Sequence, residues 1–407
     1  MHRVVVTGMA AITSLGNDWS SVRTQMTKGN TGIRRMDDWD RFTALNTRLA
    51  GPVTDFVKPA HYTRKQTRSM GRVALMATAA TERALADAGL LGDPILGGGD
   101  AGVAYGSSTG STDAVMEFSG MLQNGSMNGI SATTYIRMMS HTAPVNIGVF
   151  FGLKGRVITT SSACTSGSQG IGNAFEAIKF GRQKIMVAGG AEELCPTEAA
   201  VFDTLYATST CNDTPHLSPR PFDVDRDGLV IGEGAATLVL EERQHAIDRG
   251  ATIHAEILGF GTNSDGGHVT QPDTETMGVA MQLALADASL SPGSVGYVNV
   301  HGTATDRGDI AESQATARIF GESMPVSTLK GHLGHTLGAC GAIESWASIH
   351  MLLDDWYAPT ANLVNPDPAC GALDYILGAP REMHCDTIMC NNFAFGGINT
   401  SLIFDRG

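Results

Sequence analysis

Cys164 stands in the run Thr160-Ser-Ser-Ala-Cys-Thr-Ser-Gly-Ser168. Before it lies a β-branched stretch, Val157-Ile-Thr-Thr160, and after it Ile171, Ala174, Phe175 and Ile178 recur at helical spacing. This is the pattern of a nucleophile on a strand-to-helix elbow. A thiol there feels the positive end of the helix dipole and free backbone N–H groups, and both favour thiolate. The same N–H groups could hold an oxyanion. A buried structural cysteine in a small-residue turn is the alternative reading of this segment.

A second cluster lies in the C-terminal half. His301-Gly-Thr-Ala-Thr305 follows the apolar run Tyr297 to Val300, and Lys330-Gly-His-Leu-Gly-His-Thr-Leu-Gly-Ala339 follows Pro325 to Thr328. Both sit just past strand-like runs, where loops carry chemistry. A cysteine, a lysine and several histidines so placed suggest thiolate catalysis. Cysteine and histidine are also zinc ligands, but no Cys-x-x-Cys or His-x-x-x-His pair occurs. His332 and His335 are the only close pair in these motifs, so the spacing speaks against a metal site. A lone histidine is more often a satisfied core or surface residue, and Lys330 by itself would read as a surface cation.

The elements that must position these groups alternate in type. Strands are predicted at Val4–Val6, Gly102–Tyr105, Val157–Thr160, Ile185–Ala188, Thr237–Leu240, Ala255–Leu258, Tyr297–Val300, Val326–Thr328, Ile388–Cys390 and Ser401–Phe404. Helices are predicted at Arg72–Ala88, Ile171–Phe180, Met277–Ala288, Asp309–Phe320 and Ala342–Leu353. Such alternation implies α/β layers. The segments Ala163–Gly170 and His335–Gly341 each precede a helix in corresponding places, which suggests an internal duplication. A boundary near residue 250 divides the chain into 1–250, carrying the cysteine, and 251–407, carrying the two histidines. No Pro/Ser-rich linker marks it, so tightly packed halves are expected.

Four ordered motifs carry a resemblance to a known family: Ser-Ser-Ala-Cys164, His301-Gly-Thr-Ala-Thr305, Lys330 with His335 five residues on, and Asn392-Phe-Ala-Phe-Gly-Gly-Ile-Asn399. Together they resemble the elongating β-ketoacyl-acyl-carrier-protein synthases of the thiolase-like superfamily, and the likeness runs from Arg3 to the last strand. The resemblance implies a duplicated five-layer αβαβα fold. It also implies the decarboxylative condensation of an acyl group on Cys164 with malonyl-carrier protein. His301 and His335 would donate hydrogen bonds to the enolate, and Lys330 would add positive potential. Backbone N–H groups of Cys164 and Phe395 would form the oxyanion hole, with Phe395 also gating the acyl pocket. Thr303 and Thr305 would hold the pantetheine arm, Phe393 and Thr109 would contact substrate, and Glu344 would orient Lys330. Three positions depart from the family pattern: Ala394 and Ile398 in the glycine-rich loop, and Asp306 where proline is usual. His332 is an added histidine.

Composition agrees. The net charge of −13 argues against nucleic acid as a partner. An acidic carrier protein would need a local basic patch, and Arg64, Lys65 and Arg68, with Arg72 one turn on, could supply it; an ordinary solvated basic face is the alternative. No run approaches the roughly 20 apolar residues of a membrane span, and no signal-peptide core opens the chain. Seven cysteines without framework spacing fit reduced thiols, hence a cytoplasmic protein. Nothing implies a nicotinamide, flavin or metal cofactor, since Gly97-Gly-Gly99 lacks a phosphate-binding fingerprint. The resemblance implies a two-fold dimer, or a heterodimer with a related chain-length subunit. Two further readings are that the chain is itself such a partner subunit, or a thiolase using Cys390 as its second cysteine.

Overall fold

A computed structural model describes residues 1–407. Its main sheet has eleven strands. Across the sheet they run 374–375, 325–327, 297–299, 387–394, 398–405, 255–264, 4–12, 234–242, 185–192, 101–106 and 157–160. The seam lies where Val4–Val6 pair antiparallel with Ala255–Ile257. Leaving aside the two-residue strand 374–375, which the C-terminal side adds at its outer edge, the two sides have the same order outward from that seam, in each case first strand, fifth, fourth, second, third. The duplication suggested by the cysteine and histidine segments therefore extends to five strands of each side. Parallel pairing is confined to the outer strands of each side, where helical crossovers connect them.

Three packed cores separate five layers. The outer core of the N-terminal side joins helix Arg72–Asp87, through Val73, Met76, Ala80 and Ala84, to Ile185, Val187 and Val239 of the sheet. The outer core of the C-terminal side joins Met277, Met281 and Leu285 of helix Thr274–Ala288, and Ala311 and Ala315 of helix Asp306–Phe320, to Val298 and Ile403. Between the two sheet halves lie helices Ser166–Lys179 and Cys340–Asp354. Their Ile171, Phe175, Ile343 and Trp346 share the largest core. Helix Cys340–Asp354 is buried almost all round, as an element enclosed by sheets on both sides must be. Strand Val4–Ile12 is buried at every position for the same reason. No helix is long and apolar enough to cross a membrane.

Every predicted strand and helix is present, though most strands run further than their apolar cores. Strand Ile185–Glu192 continues through Gly189 and Gly190 to a buried glutamate. Hydropathy ends it at Ala188, because small and polar residues enclosed between layers carry no apolar signal. Helices at Trp19–Thr27, Thr112–Asn124, Ala132–Met138, Thr142–Phe151, Pro196–Asp203 and Arg243–Asp248 were not anticipated.

The two central helices meet at glycines. A Cβ on Gly341 would lie 2.7 Å from the Ser168 backbone nitrogen and 2.6 Å from Asn392 Oδ1, and one on Gly167 would lie 2.9 Å from the Ala342 nitrogen. Gly341→Ala should therefore lower Tm by about 2–5 °C, corresponding to an overpacking cost of about 1–3 kcal/mol. Gly120→Ala, on helix Thr112–Asn124 where a Cβ meets nothing within 4 Å, should leave Tm unchanged or raise it. Differential scanning fluorimetry of both variants checks this contrast.

Candidate active site

The nucleophile elbow is held by its own hydroxyls. Strand Val157–Thr160 ends, Ala163 takes φ +50°, and a 3-10 turn at Ala163–Thr165 leads into helix Ser166–Lys179. Thr160 Oγ1 donates to the Ser166 carbonyl at 2.7 Å, and Ser166 Oγ accepts from the Ser162 N–H at 2.9 Å. Ser166 Oγ donates to the Ala163 carbonyl at 2.7 Å. A non-glycine residue in the left-handed region persists only where neighbours over-determine it, and these bonds do so. The duplicated turn repeats the device: Leu337, at φ +47°, opens a 3-10 turn that leads into helix Cys340–Asp354.

His301 is set by a helix rather than by its own loop. Glu312 accepts the His301 and Gly302 N–H groups at 2.6 and 2.7 Å, and Asp309 accepts those of Thr303 and Ala304 at 3.0 and 3.1 Å. Both carboxyls are buried on helix Asp306–Phe320, and burial pushes Asp309 up to about 6 and Glu312 up to about 8. Acids at the start of a helix ordinarily complement its dipole, but these two are turned to backbone N–H groups of the preceding loop. Only Asp306 is exposed; it and Asp309 face Arg226, at 3.1 and 3.8 Å. Asp309 and Glu312, three apart, share the face of the helix that turns inward. His335 is tied to the other half of the chain, its N–H donating to Val230 at 2.7 Å and its carbonyl accepting from Gly232 at 2.8 Å.

These elements bring three groups together. Ligating atoms of Cys164, His301 and His335 lie within 4.8 Å of one another. His335 Nε2 is 3.0 Å from Cys164 Sγ, and the two imidazoles stand perpendicular with centroids 5.1 Å apart. Lys330 is fully buried rather than a surface cation, with Nζ 2.5 Å from Glu344 Oε1 and 3.1 Å from His301 Nδ1. Burial works against its charge, but the Glu344 carboxylate outweighs that and holds the ammonium above its usual value. Burial and then Lys330 push both histidines well below their usual range, so each is a neutral imidazole. A thiol and two imidazoles could ligate a soft divalent ion, but the Lys330 ammonium beside His301 opposes a cation there.

The thiol corrects the expectation of a ready thiolate. Burial pushes Cys164 up to about 11, although Lys330 and the N–H groups of Phe395 and Cys164, which point at the sulfur, act the other way. Desolvation wins because the elbow lies beneath both halves of the molecule.

A cavity of about 530 Å³ leads to these groups. Its lining includes Cys164, His301, His335, Thr303, Thr305, Phe393 and Phe395. Phe395 packs on Phe202 with centroids 5.0 Å apart, and the Thr303 and Thr305 hydroxyls are 2.9 Å apart. Asp306, Arg226 and Tyr206 also line it, and Tyr206 is 88% exposed. Thr109 is not among the lining residues; its hydroxyl turns to Glu198 at 3.2 Å. His332 is buried away from the cavity, with Nε2 3.0 Å from the Pro359 carbonyl. Cys390 is also away from it, within strand Thr387–Ala394, where burial pushes its thiol up to about 12. Arg64, Lys65 and Arg68 are exposed on a short helix without ion pairs, whereas Arg72 turns inward to Glu233 and leaves that patch.

Residues 1–246 match the family model of the β-ketoacyl synthase N-terminal domain, and residues 254–364 that of its C-terminal domain. The chain belongs to the β-ketoacyl synthase family. It is 37% identical to 3-oxoacyl-[acyl-carrier-protein] synthase 2 of Vibrio harveyi over 100% of this chain and 99% of that one. It is similar to a β-ketoacyl synthase crystal structure from Burkholderia phymatum STM815, with 60% identity, TM-score 0.99 and full coverage of both chains. It is also similar to one chain of a structure described as a type II polyketide-synthase acyl-carrier protein in complex with its ketosynthase, with 30% identity, TM-score 0.88 and full coverage of both chains. The fold is accordingly the thiolase-like one.

Iodoacetamide should alkylate Cys164 of this synthase at a rate rising about tenfold per pH unit across the alkaline range. The thiolate fraction grows until the pH reaches about 11, the thiol's own value. Peptide mass spectrometry follows the adduct, and a rate that levels off near neutrality would show a thiolate already formed.

Proposed function

We propose that this protein condenses an acyl group held on Cys164 with malonyl-acyl-carrier protein, releasing carbon dioxide and lengthening the chain by two carbons. The observation that carries this reading is the convergence of one thiol and two neutral imidazoles at the inner end of a cavity. The enzyme is an acyltransferase that forms carbon–carbon bonds.

Each group's chemistry follows from its surroundings. Cys164 sulfur attacks the carrier thioester, and the thiol proton leaves with the departing carrier thiol. His335 Nε2–H donates to the sulfur and lowers the cost of the transient thiolate. The carbonyl oxygen turns into the N–H pair of Cys164 and Phe395 as it becomes an oxyanion. Malonyl-carrier protein then enters, and loss of carbon dioxide leaves an enolate. Its oxygen needs donors rather than a base, and two neutral imidazoles donate without first losing a proton to solvent. The enolate carbon attacks the Cys164 thioester, the cysteine departs as thiolate and takes a proton from solvent, and the β-ketoacyl product stays on the carrier. Lys330 and Glu344 hold the geometry around His301. Thr303, Thr305 and Phe393 line the arm's path, and Phe395 gates the acyl pocket.

We further read the chain as two halves, 1–250 and 251–407, the first contributing the thiol and the second both histidines; the matched strand orders support this. The acyl-carrier protein is the partner that delivers both substrates, with Arg64, Lys65 and Arg68 as its docking patch. A two-fold dimer, with itself or a related subunit, is supported by the open edge strand Val157–Thr160, whose Val157 and Thr159 are exposed beside the nucleophile elbow. The setting is cytoplasmic, in keeping with seven cysteines and no disulfide. The presence of Cys164 disfavours a non-catalytic partner subunit, and the position of Cys390 disfavours a thiolase. The chain built is of fatty-acid or polyene/polyketide type.

Intact-protein mass spectrometry with a panel of acyl-carrier proteins, then malonyl-carrier protein, tests the reading. Cys164→Ala should abolish acyl loading, while His301→Ala and His335→Ala should load but not decarboxylate; normal condensation by either histidine variant sinks the donor assignment. Reversing charge at Arg64, Lys65 and Arg68 together should raise KM for the carrier by about 10-fold at low salt and by less at high salt, with kcat little changed. Steady-state kinetics at two ionic strengths decides that.

A further inference from the structure

A closed ring of buried polar groups lies behind His301. Lys330 Nζ meets Glu344 Oε1 at 2.5 Å and His301 Nδ1 at 3.1 Å. Asn392 Nδ2 meets Glu344 Oε2 at 2.7 Å and His301 Nδ1 at 3.3 Å. All four side chains are buried, Asn392 at 1% exposure. Lys330 and Glu344 belong to the expected constellation; Asn392 does not, and nothing in the condensation chemistry calls for it directly.

The donors and acceptors in the ring leave one arrangement. An ammonium has only donors, and the amide nitrogen of an asparagine is a donor. The orientation of the Asn392 amide is set by Glu344, because the flipped amide would turn its oxygen onto a carboxylate oxygen. Two donors therefore aim at His301 Nδ1, which must be the bare, accepting nitrogen. The ring proton is then on Nε2, the nitrogen left to the cavity that His301 lines. An enolate oxygen in that cavity needs this N–H. With the opposite tautomer it would meet a lone pair, and a correctly placed imidazole would do nothing for the reaction.

We propose that Asn392 is a positioning residue: it fixes His301 in the Nε2–H tautomer and braces Glu344 so that Lys330 does the same. This rests on the reading of His301 as an enolate donor. Lys330 alone would leave Glu344 Oε2 without its partner and His301 Nδ1 held by a single donor.

Two substitutions separate this role from plain structural support. Asn392→Ala removes the second donor. Asn392→Asp keeps the shape but turns an acceptor toward Nδ1, which draws the ring proton away from Nε2. The titratable groups facing His301 are Lys330, Glu344 and Cys340 on one side and His335 and Cys164 on the other, with Glu312 beneath its backbone. Among them the new carboxylate favours the imidazolium, which carries N–H on both nitrogens.

The experiment uses full-length protein with histidine labelled in 15N. It reads the His301 nitrogen shifts, acyl loading of Cys164, and malonyl-carrier decarboxylation across a pH series. Wild-type protein should show bare Nδ1 and protonated Nε2. Asn392→Ala should load and decarboxylate ~10-fold more slowly, as loss of an outer orienting partner does. Asn392→Asp should load but decarboxylate ~100-fold more slowly in mild alkali, the effect of losing one donor to the oxyanion, and recover as the pH falls. A wild-type His301 protonated on Nδ1, an Asp variant as fast as wild type, or an Asp variant slowed equally at every pH overturns the proposal. Wild-type protein that cannot decarboxylate malonyl-carrier protein overturns the functional reading instead, and the nitrogen shifts of His301 still test its tautomer.

Discussion

A fully buried ammonium needs a counter-charge within hydrogen-bond reach, and Lys330 finds it in Glu344. That requirement organises the molecule's centre. Lys330 lies on the short helix Lys330–Leu333, Glu344 on helix Cys340–Asp354, and Asn392 on strand Thr387–Ala394, so the pair and its amide join three elements. Breaking such a pair by removing one partner costs about 3–5 kcal/mol, far more than the intact pair contributes. The charge is held because the chemistry beside it needs positive potential without a titrating cation. Burial first and this charge second keep His301 and His335 neutral, and in that form both are donors that need no change of protonation state.

The duplicated architecture explains where this centre can exist. Each half sends one buried helix into the middle layer, and each helix is entered through a 3-10 turn with a strained non-glycine residue, Ala163 in one case and Leu337 in the other. Close packing at Gly167 and Gly341 lets the two helix starts approach. The N-terminal turn presents a thiol, and the segment before the C-terminal one presents an imidazole. A symmetric scaffold has thus become chemically asymmetric at one crossing, with the cavity opening on the side where loop residues 301–305 and the first turn of helix Asp306–Phe320 complete it.

Much of the site was legible as residue types in order. A cysteine on a strand-to-helix elbow, histidines after two strands and a lysine five residues before one of them are local patterns, and local patterns survive in a linear reading. Asp309, Glu312 and Asn392 were not legible in their roles. An acid in the first turns of a helix usually faces water, and only the fold shows that these two reach back to the His301 and Thr303 backbone. Thr109 and Arg72 show the converse: each has the right chemistry for an expected contact, but Glu198 and Glu233 claim their side chains.

The amino-acid sequence by itself determined the α/β layering, the strand–helix alternation, the duplication and the identity of the reacting groups, because these rest on periodicity, turn chemistry and short spacings. Tertiary structure decided the protonation states. Whether Cys164 is thiol or thiolate, whether His301 is neutral, and whether Lys330 is a surface charge or a buried one all depend on desolvation and on partners distant in sequence. His301 and Lys330 are separated by 29 residues, and Cys164 and His335 by 171. Burial and Coulomb energy are properties of distance in space, and chain order carries no measure of that distance until the two halves pack.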